Sequence, residues 1–177
     1  MRKVVYSAAC SLDGFIAGPN GEIDWLHFSA DVRDEMSRLW PEVDTVLMGR
    51  KTWEFASANA HGSGGTGGPR SYVFSRTLTK LPAKGPDLVR DDAAGFVRGL
   101  KAQPGKTILL MGGSRLAAAL FAGGAIDEVS MNVHPVLLGS GTPFFADAGV
   151  RTLLRLDRCR AIDGGCVLSS YSVAPRE

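Results

Sequence analysis

The stretch KTILLMGGSRLAAALFAGG, residues 106–124, joins a strand to a helix with almost nothing between them. Its first part is a short apolar run, which is typical of a buried strand. The run ends at Gly112 and Gly113, and a helix-like run begins at Ser114 and stops at a second glycine pair. A strand that leads directly into a helix is the unit from which parallel α/β sheets are built. This stretch therefore favours an α/β fold.

The rest of the chain continues the alternation of strands and helices. Strand-like runs occur at 3–10, 44–49, 70–75, 87–90 and 127–139. Helix-like runs occur at 29–40, between Ser29 as the N-cap and Pro41, and from Asp92 to Gln103. The tail contains two further runs around Gly164-Gly165, which is a hairpin signal. The pattern predicts a mostly parallel sheet to which the C-terminal strands are added antiparallel.

The composition limits the class of protein. The 177 residues, of which 45% are hydrophobic and 21% charged, predict one globular domain over 1–177. A net charge of +2 without a dense Lys/Arg run argues against nucleic acid as a partner. No apolar run reaches the roughly 20 residues that span a bilayer, so we expect no membrane partner. The glycine-rich segment 62–68 is interpreted as a mobile surface loop.

The cysteines and histidines do not predict a metal site or a disulfide. Cys10, Cys159 and Cys166 are odd in number and form no CxxC pair, which favours reduced thiols and a cytoplasmic protein. His27 and His134, like the third histidine, occur without the spacing of a metal-ligand set.

Three of the predicted strands end on groups that suit an anion. The first ends at Gly49, Arg50, Lys51 and Thr52, the second at Ser75 and Arg76, and the third at Gly112, Gly113 and Ser114. Open α/β sheets bind ligands at the carboxyl ends of their strands, and a helix N-terminus favours negative charge. Taken alone, the glycine pair is equally well explained as a tight turn, and the paired cations are better explained as solvated residues at a helix start. Three together predict a dinucleotide site.

Two acidic side chains lie at helical spacing on the run 29–40. At about 100° per residue, Asp31 and Glu35 fall on one flank of the apolar stripe that contains Val32 and Met36. A carboxylate at the edge of a buried face could hold a cationic or amide-like heterocycle and assist proton transfer. A favourable interaction with the helix dipole would explain either acid alone.

The loop SLDGFIAGPNGEIDW, residues 11–25, carries apolar side chains within a glycine-rich stretch. Phe15, Ile16 and Trp25 in such a loop could cover a ligand as a lid. The alternative is an ordinary surface excursion whose aromatic residues cap the core.

Taken in order along residues 3–173, these motifs resemble the dihydrofolate reductase superfamily. The likeness includes MGRKTWE at 48–54 and GGSRL at 112–116. The stretch HPVLLGSGTPFF at 134–145 resembles the branch shared with the reductase domain of bacterial riboflavin biosynthesis. The resemblance implies a three-layer α/β/α fold with a central mixed, mostly parallel sheet. It also implies hydride transfer from NADPH to a C=N or C=O bond of a pterin-like or ribosylaminopyrimidine-like substrate.

The resemblance also implies roles for particular residues. The cofactor-binding residues it predicts are Ala9, Ile16, Ala17, Gly49, Arg50, Lys51, Thr52, Ser75, Arg76, Gly112, Gly113, Ser114, Arg115 and Leu116. It places the catalytic carboxylate at Asp31, with Asp13 and Glu35 as alternatives. A nucleotide-binding regulatory or structural module without turnover would need the glycine turn but no acid. The apolar C-terminal strands could form a homodimer interface or an edge of the core.

Overall fold

The computed structural model describes residues 1–59, 68–83 and 85–175. The strands are β1 (Val4–Ser11), β2 (Phe15–Ala17), β3 (Val43–Gly49), β4 (Arg70–Phe74), β5 (Asp87–Val89), β6 (Thr107–Leu110), β7 (Glu128–His134), β8 (Thr142–Pro143), β9 (Leu154–Ile162) and β10 (Cys166–Val173). The helices are α1 (Ala30–Leu39), α2 (Arg50–Ala58), α3 (Ala93–Ala102) and α4 (Ser114–Ala122), and short 3-10 turns cover Trp40–Glu42 and Asp163–Gly165. Most of the predicted segment 62–68 lies outside the described residues.

Eight of the strands form one sheet in the order β5-β4-β3-β6-β1-β7-β10-β9. The pairings from β5 to β7 are parallel, whereas β10 pairs antiparallel with β7 and with β9. The predicted mixed sheet with antiparallel C-terminal strands is confirmed. The glycine pair that predicted a hairpin lies in the turn between β9 and β10.

Helices cover both faces of the sheet, because alternate residues of each strand bury apolar side chains on opposite sides. On one face Tyr6 and Leu110 pack with the buried sides of α3 and α4. On the other face Val46 and Val73 pack against the end of α1 and against Trp53 of α2. The three-layer architecture follows from these two cores.

Helix α1 departs from its predicted packing. The apolar stripe predicted a buried face, but none of the ten residues of α1 is buried, and Met36 is 37% exposed. Its N-terminus is capped by Ser29, whose hydroxyl accepts a hydrogen bond from the backbone N–H of Val32. Helix α1 therefore lies at the surface, where Leu39 packs against the sheet and Asp31 and Glu35 contact Arg160 of β9.

The loop after β1 and the loop after β7 form one unit. Strand β2 pairs with β8, and a Cβ at Gly141 would lie 2.1 Å from the Ala17 carbonyl oxygen. Gly141 has φ +147°, a conformation that side chains rarely adopt. The two glycine-rich motifs, separate in the sequence, therefore meet beside the end of β1.

No helix within the described ranges is long and apolar enough to cross a membrane.

Candidate active site

The predicted strand ends converge at one edge of the sheet. Strands β4, β3, β6 and β1 are consecutive neighbours, so the loops that follow them lie side by side. The Gly49 N–H donates to the Gly112 carbonyl oxygen at 3.3 Å. A Cβ at Gly113 would lie 3.2 Å from the Gly49 Cα, so the two glycine turns are in backbone contact. The structure thus brings the first and third predicted anion-binding turns together.

Both turns open a helix whose first N–H groups have no side-chain cap. Gly49 is the N-cap of α2 and Gly113 that of α4, and neither position has a side chain that could accept a hydrogen bond. Gly112 and Gly113 have φ values of +140° and +98°, which glycine alone adopts easily. Uncapped helix N-termini beside bare backbone suit a diphosphate. These residues fit the cofactor that the resemblance implies.

The predicted cations differ in their engagement. Arg50 donates from Nε to Glu54 at 2.6 Å and from Nη1 to the Thr77 hydroxyl at 3.2 Å, which ties the end of β3 to the turn after β4. In that turn the Ser75 Oγ accepts from the N–H groups of Thr77 and Leu78. The exposed cations Lys51, Arg76 and Arg115 form no ion pair within the described ranges. They remain available to an external anion.

Three of the predicted cofactor residues have buried or partly buried side chains. Ser114 and Leu116 are 5% and 8% exposed, so their side chains belong to the interior. Thr52 is partly buried, and a Cβ at Gly112 would lie 3.4 Å from its hydroxyl. Thr52 therefore helps to shape the Gly112 turn from the first turn of α2.

Three of the predicted cofactor-binding residues, Ala9, Ile16 and Ala17, lie where β1 extends beyond the end of β6. The last pair between these strands is Tyr6 with Leu110, whereas β1 continues beside β7 as far as the pair Ser11 and His134. Ala9 therefore lies beyond the end of β6. Ile16 and Ala17, both partly buried, follow in β2 beside it. The crevice that opens at such a point is where open α/β sheets bind ligands.

The two predicted acids of α1, Asp31 and Glu35, face the C-terminal strands. The Asp31 Oδ2 accepts from the Asp163 backbone N–H at 3.0 Å, and its Oδ1 lies 3.5 Å from an Arg160 Nη atom. The Glu35 Oε2 accepts from Arg158 at 2.8 Å and from Arg160 at 3.3 Å. The backbone N–H and Arg160 lower the pKa of Asp31. Partial burial alone would raise the pKa of Glu35, but the two arginines outweigh it and lower the pKa. Both groups are therefore carboxylates at neutral pH.

Asp13, the third predicted acid, lies in a different environment. It accepts hydrogen bonds from the Ser11 hydroxyl at 2.6 Å and from the N–H groups of Leu138 and Gly139 at 3.2 and 2.8 Å. These bonds, the Ser11 hydroxyl first, lower the pKa of Asp13. Asp13 joins the loop after β1 to the loop after β7, and it is not grouped with Asp31 and Glu35.

The sheet face below α1 contains polar residues that the sequence did not single out as a site. Asn132 lies opposite Ala9 on one side and Leu168 on the other, and Leu168 lies opposite Arg160. His134, two residues after Asn132, makes an edge contact with the Trp25 ring at 5.3 Å. The sequence does contain a signal for these polar residues. Asn132 and His134 alternate along β7, and Arg158 and Arg160 alternate along β9, so each pair lies on one face of its strand.

Fold and site together define a dihydrofolate reductase-like α/β protein with a dinucleotide-compatible sheet edge. The chain belongs to the RibD C-terminal domain family, whose sequence profile matches residues 2–168. It is 31% identical to the uncharacterized protein YyaP of Bacillus subtilis (strain 168), over 96% of this chain and 94% of that one. It is 35% identical to the uncharacterized protein YwjB of the same organism, over 88% of this chain and 89% of that one.

Solved structures share the fold. A putative riboflavin biosynthesis protein from Shewanella sp. PV-4 superposes with a TM-score of 0.85 at 24% identity, over 98% of this chain and 99% of that one. The deaminase and 5-amino-6-(5-phosphoribosylamino)uracil reductase of Thermotoga maritima gives 0.72 at 18% identity, over 98% of this chain and 57% of that one. Dihydrofolate reductase from Enterococcus faecalis, complexed with NADP(H), gives 0.67 at 14% identity, over 98% and 97%. The predicted dihydrofolate reductase-like fold is confirmed.

Proposed function

We propose that the chain is an NADPH-dependent reductase that acts on a C=N or C=O bond of a small heterocycle, pterin-like or ribosylaminopyrimidine-like. Membership of a reductase-like family supports an oxidoreductase. The observation that carries the choice of cofactor is the backbone contact of Gly49 with Gly113. This contact brings two uncapped helix N-termini together, which supports a diphosphate as the ligand.

Different residues of the chain would bind different parts of the cofactor and the substrate. Gly112, Gly113 and the first N–H groups of α4 would cradle the diphosphate, Lys51 would add a positive charge beside the phosphates, and Arg76 would pair with the 2′-phosphate. NADPH, when bound, supplies the hydride. Asp31 would accept a hydrogen bond from an N–H of the substrate and stabilise the positive charge of a protonated ring nitrogen. As a carboxylate it would orient the substrate and support protonation, with the proton delivered from water.

One observation favours a second function, nucleotide binding without turnover. Asp31 and Glu35 are both engaged by arginine, and the pKa of each is lowered, so neither acid is poised to donate a proton. A regulatory or structural module would need the glycine turns alone. An assay of NADPH oxidation with a panel of pterins, ribosylaminopyrimidines and simple carbonyl compounds distinguishes the two functions. Binding of NADPH without oxidation by any of them favours the module.

The cofactor is tested through Arg76, which we assign to the 2′-phosphate. In Arg76→Ala we expect the NADPH dissociation constant to rise about 10-fold or more, because a charge-assisted hydrogen bond is lost. The dissociation constant of NADH, which has no 2′-phosphate, should change little. Both are measured by calorimetric titration and by thermal shift.

Lys80 provides a matched control, because it is an exposed cation on the segment that follows β4. Lys80→Ala should leave both dissociation constants unchanged. Equal weakening of NADPH and NADH in Arg76→Ala would refute the 2′-phosphate assignment, and absence of NADPH binding to the wild type would refute the cofactor.

Two further proposals concern the setting of the enzyme. A cytoplasmic location is supported by three free cysteines, of which Cys159 is exposed without a disulfide partner. A homodimer is supported by the exposed outer strand β9.

A further inference from the structure

Two buried polar side-chain atoms in the described ranges lack a hydrogen-bond partner, namely Asn132 Oδ1 and Arg160 Nε. Both belong to one row across the sheet, since Asn132 and Arg160 are each opposite Leu168. Residues opposite each other in neighbouring strands share a face. An unpaired acceptor and an unpaired donor therefore flank the Leu168 side chain. Folded proteins leave few such atoms unpaired, so two in one row indicate an absent partner.

The row lies between Ala9, a predicted cofactor-binding residue, and the acids Asp31 and Glu35 of α1. Ala9 lies beyond Asn132 at one end of the row. At the other end Arg160 contacts both Asp31 and Glu35. Neighbouring strands are about 4.8 Å apart, so the backbones of Asn132 and Arg160 are separated by roughly 10 Å. A flat ring lying over Leu168 would have a hydrogen-bonding atom at either side.

The orientation of the Asn132 amide follows from a chain of hydrogen bonds. Asn132 Nδ2 is 3.1 Å from His134 Nε2, and His134 Nδ1 is 3.4 Å from the Cys166 sulfur. The Cys166 thiol in turn donates to the Gly164 carbonyl oxygen at 3.9 Å. When the thiol hydrogen is directed to that carbonyl, the sulfur accepts from Nδ1. A neutral imidazole that donates from Nδ1 must accept at Nε2. In this arrangement Asn132 presents its NH₂ group to His134, and its carbonyl oxygen is directed away from the imidazole.

We infer that Asn132 and Arg160 determine the substrate specificity of the cleft, and that His134 and Cys166 are positioning residues for the Asn132 carbonyl. The inference rests on the proposed function, because it takes the space between α1 and the sheet as the substrate site. Asn132 Oδ1 accepts from a ring N–H, and Arg160 Nε donates to a carbonyl oxygen. The ligand class is a flat heterocycle that carries both groups on opposite edges, such as a pyrimidinedione or pteridinedione.

Lumazine, a pteridinedione, and 1,3-dimethyllumazine form the probe pair, because the methyl groups remove the ring N–H donors and keep the carbonyls. Binding is measured by fluorescence titration. We expect the wild type to prefer lumazine about 10-fold or more. Asn132→Leu keeps the bulk and removes the acceptor, so lumazine affinity should fall to that of the dimethyl compound. Ser130→Ala, on the same strand and face, should keep the preference.

Substitutions at Cys166 test the positioning chain without contacting the ligand. Cys166→Ala removes the acceptor for His134, so the preference for lumazine should fall. Cys166→Ser keeps an acceptor and a donor, so the preference should be retained. A merely structural role would give the reverse order, because a buried apolar pocket tolerates alanine better than serine. Melting temperatures of both variants show whether each remains folded.

The outcomes separate this inference from the proposed function. Thermal shift by NADPH is measured on every variant, and Asn132→Leu should respond as the wild type does. If NADPH binds but the preference is absent from the wild type or unchanged in Asn132→Leu, the inference is overturned and the cofactor assignment stands. If the preference behaves as expected but NADPH does not bind, the cofactor assignment fails alone. Absence of lumazine binding at millimolar concentration overturns the inferred ligand class.

Discussion

Of the two predicted acids on α1, Asp31 is paired with one arginine and Glu35 with two. One Asp31 oxygen is 3.5 Å from Arg160, whereas a single Glu35 oxygen accepts from both Arg158 and Arg160. Asp31→Asn keeps the shape and removes the charge, so we expect kcat/KM to fall about 10²–10⁴-fold. Glu35→Gln should cost less than about 10-fold, because its carboxylate is already taken by the arginines. Steady-state kinetics on the best substrate of the panel measures both.

NADPH binding by the same two variants shows whether a loss of turnover comes from a loss of folding. Both should retain the thermal shift caused by NADPH, because neither acid is part of the glycine turns. Unchanged turnover in Asp31→Asn would remove this carboxylate from the reaction. A larger loss in Glu35→Gln would transfer the role to Glu35.

The protonation state of His134, on the sheet face below α1, depends on its buried environment. Burial, with a smaller effect of His27, lowers the pKa of His134 below its ordinary value of 6.5. The groups that face it are Cys166 and Asn132 on the sheet, Trp25 above, and His27, which lies 3.8 Å from the Asp163 carboxylate. Its imidazole is therefore neutral when folded at neutral pH.

A lowered pKa of His134 makes stability depend on pH. Below pH 6.5 the unfolded chain binds a proton that the folded imidazole does not yet bind. The free energy of unfolding should therefore fall as the pH drops from 6.5 toward the folded pKa, and stay constant above 6.5. In His134→Gln this decline should shrink. Urea unfolding across that range measures it, and an equal decline in wild type and variant would contradict the assignment.

At the scale of elements, the contact between the turns after β3 and β6 is the part of the site where an added side chain would be least tolerated. Gly113→Ala would place a Cβ 3.2 Å from the Gly49 Cα at a φ of +98°. We expect a loss of about 1–3 kcal/mol in the free energy of unfolding. The NADPH thermal shift should also fall, because the turns must separate.

Gly149→Ala is the matched control for this substitution. Gly149 has φ +63°, and a Cβ added there would have no atom within 4 Å, so the substitution introduces backbone strain without the clash. This variant should be destabilised less and should keep its response to NADPH. Equal effects on NADPH binding in both variants would mean that the contact of the two turns is not needed by the cofactor.

Local sequence signals predicted the sheet edge but not the face below α1. Gly49 and Gly113 could be placed together because parallel strands end at one edge, and glycine pairs mark turns. The partners of Asp31, Arg160 and the Asp163 N–H, lie 129 and 132 residues further along the chain. No local pattern encodes contacts over such a separation. Helix α2 was also missed, because it begins without a capping side chain at Gly49.

At the scale of the whole molecule, β9 is the edge strand of the sheet, and most of its residues are exposed to solvent. Seven of its nine residues are exposed, and although charged side chains and a β-bulge protect the free edge, the apolar side chains of the strand are not covered. Leu154 and Leu156 lie on one face of it, 39% and 54% exposed, and Leu154 lines a depression of about 250 Å³ together with Phe145 and Val150. This apolar edge is distant from the glycine turns, so it can be covered without blocking the sheet edge.

We predict that a second copy of the chain covers β9 and that the protein is a homodimer. Leu156→Asp should shift the mass measured by light scattering toward the monomer, because it would bury an unpaired charge in the interface. Leu137→Asp alters a leucine that is 70% exposed beside the loop after β7, and it should leave the mass unchanged. A monomeric wild type at micromolar concentration would contradict the prediction. Retained NADPH binding in monomeric Leu156→Asp would show that each copy holds its own cofactor site.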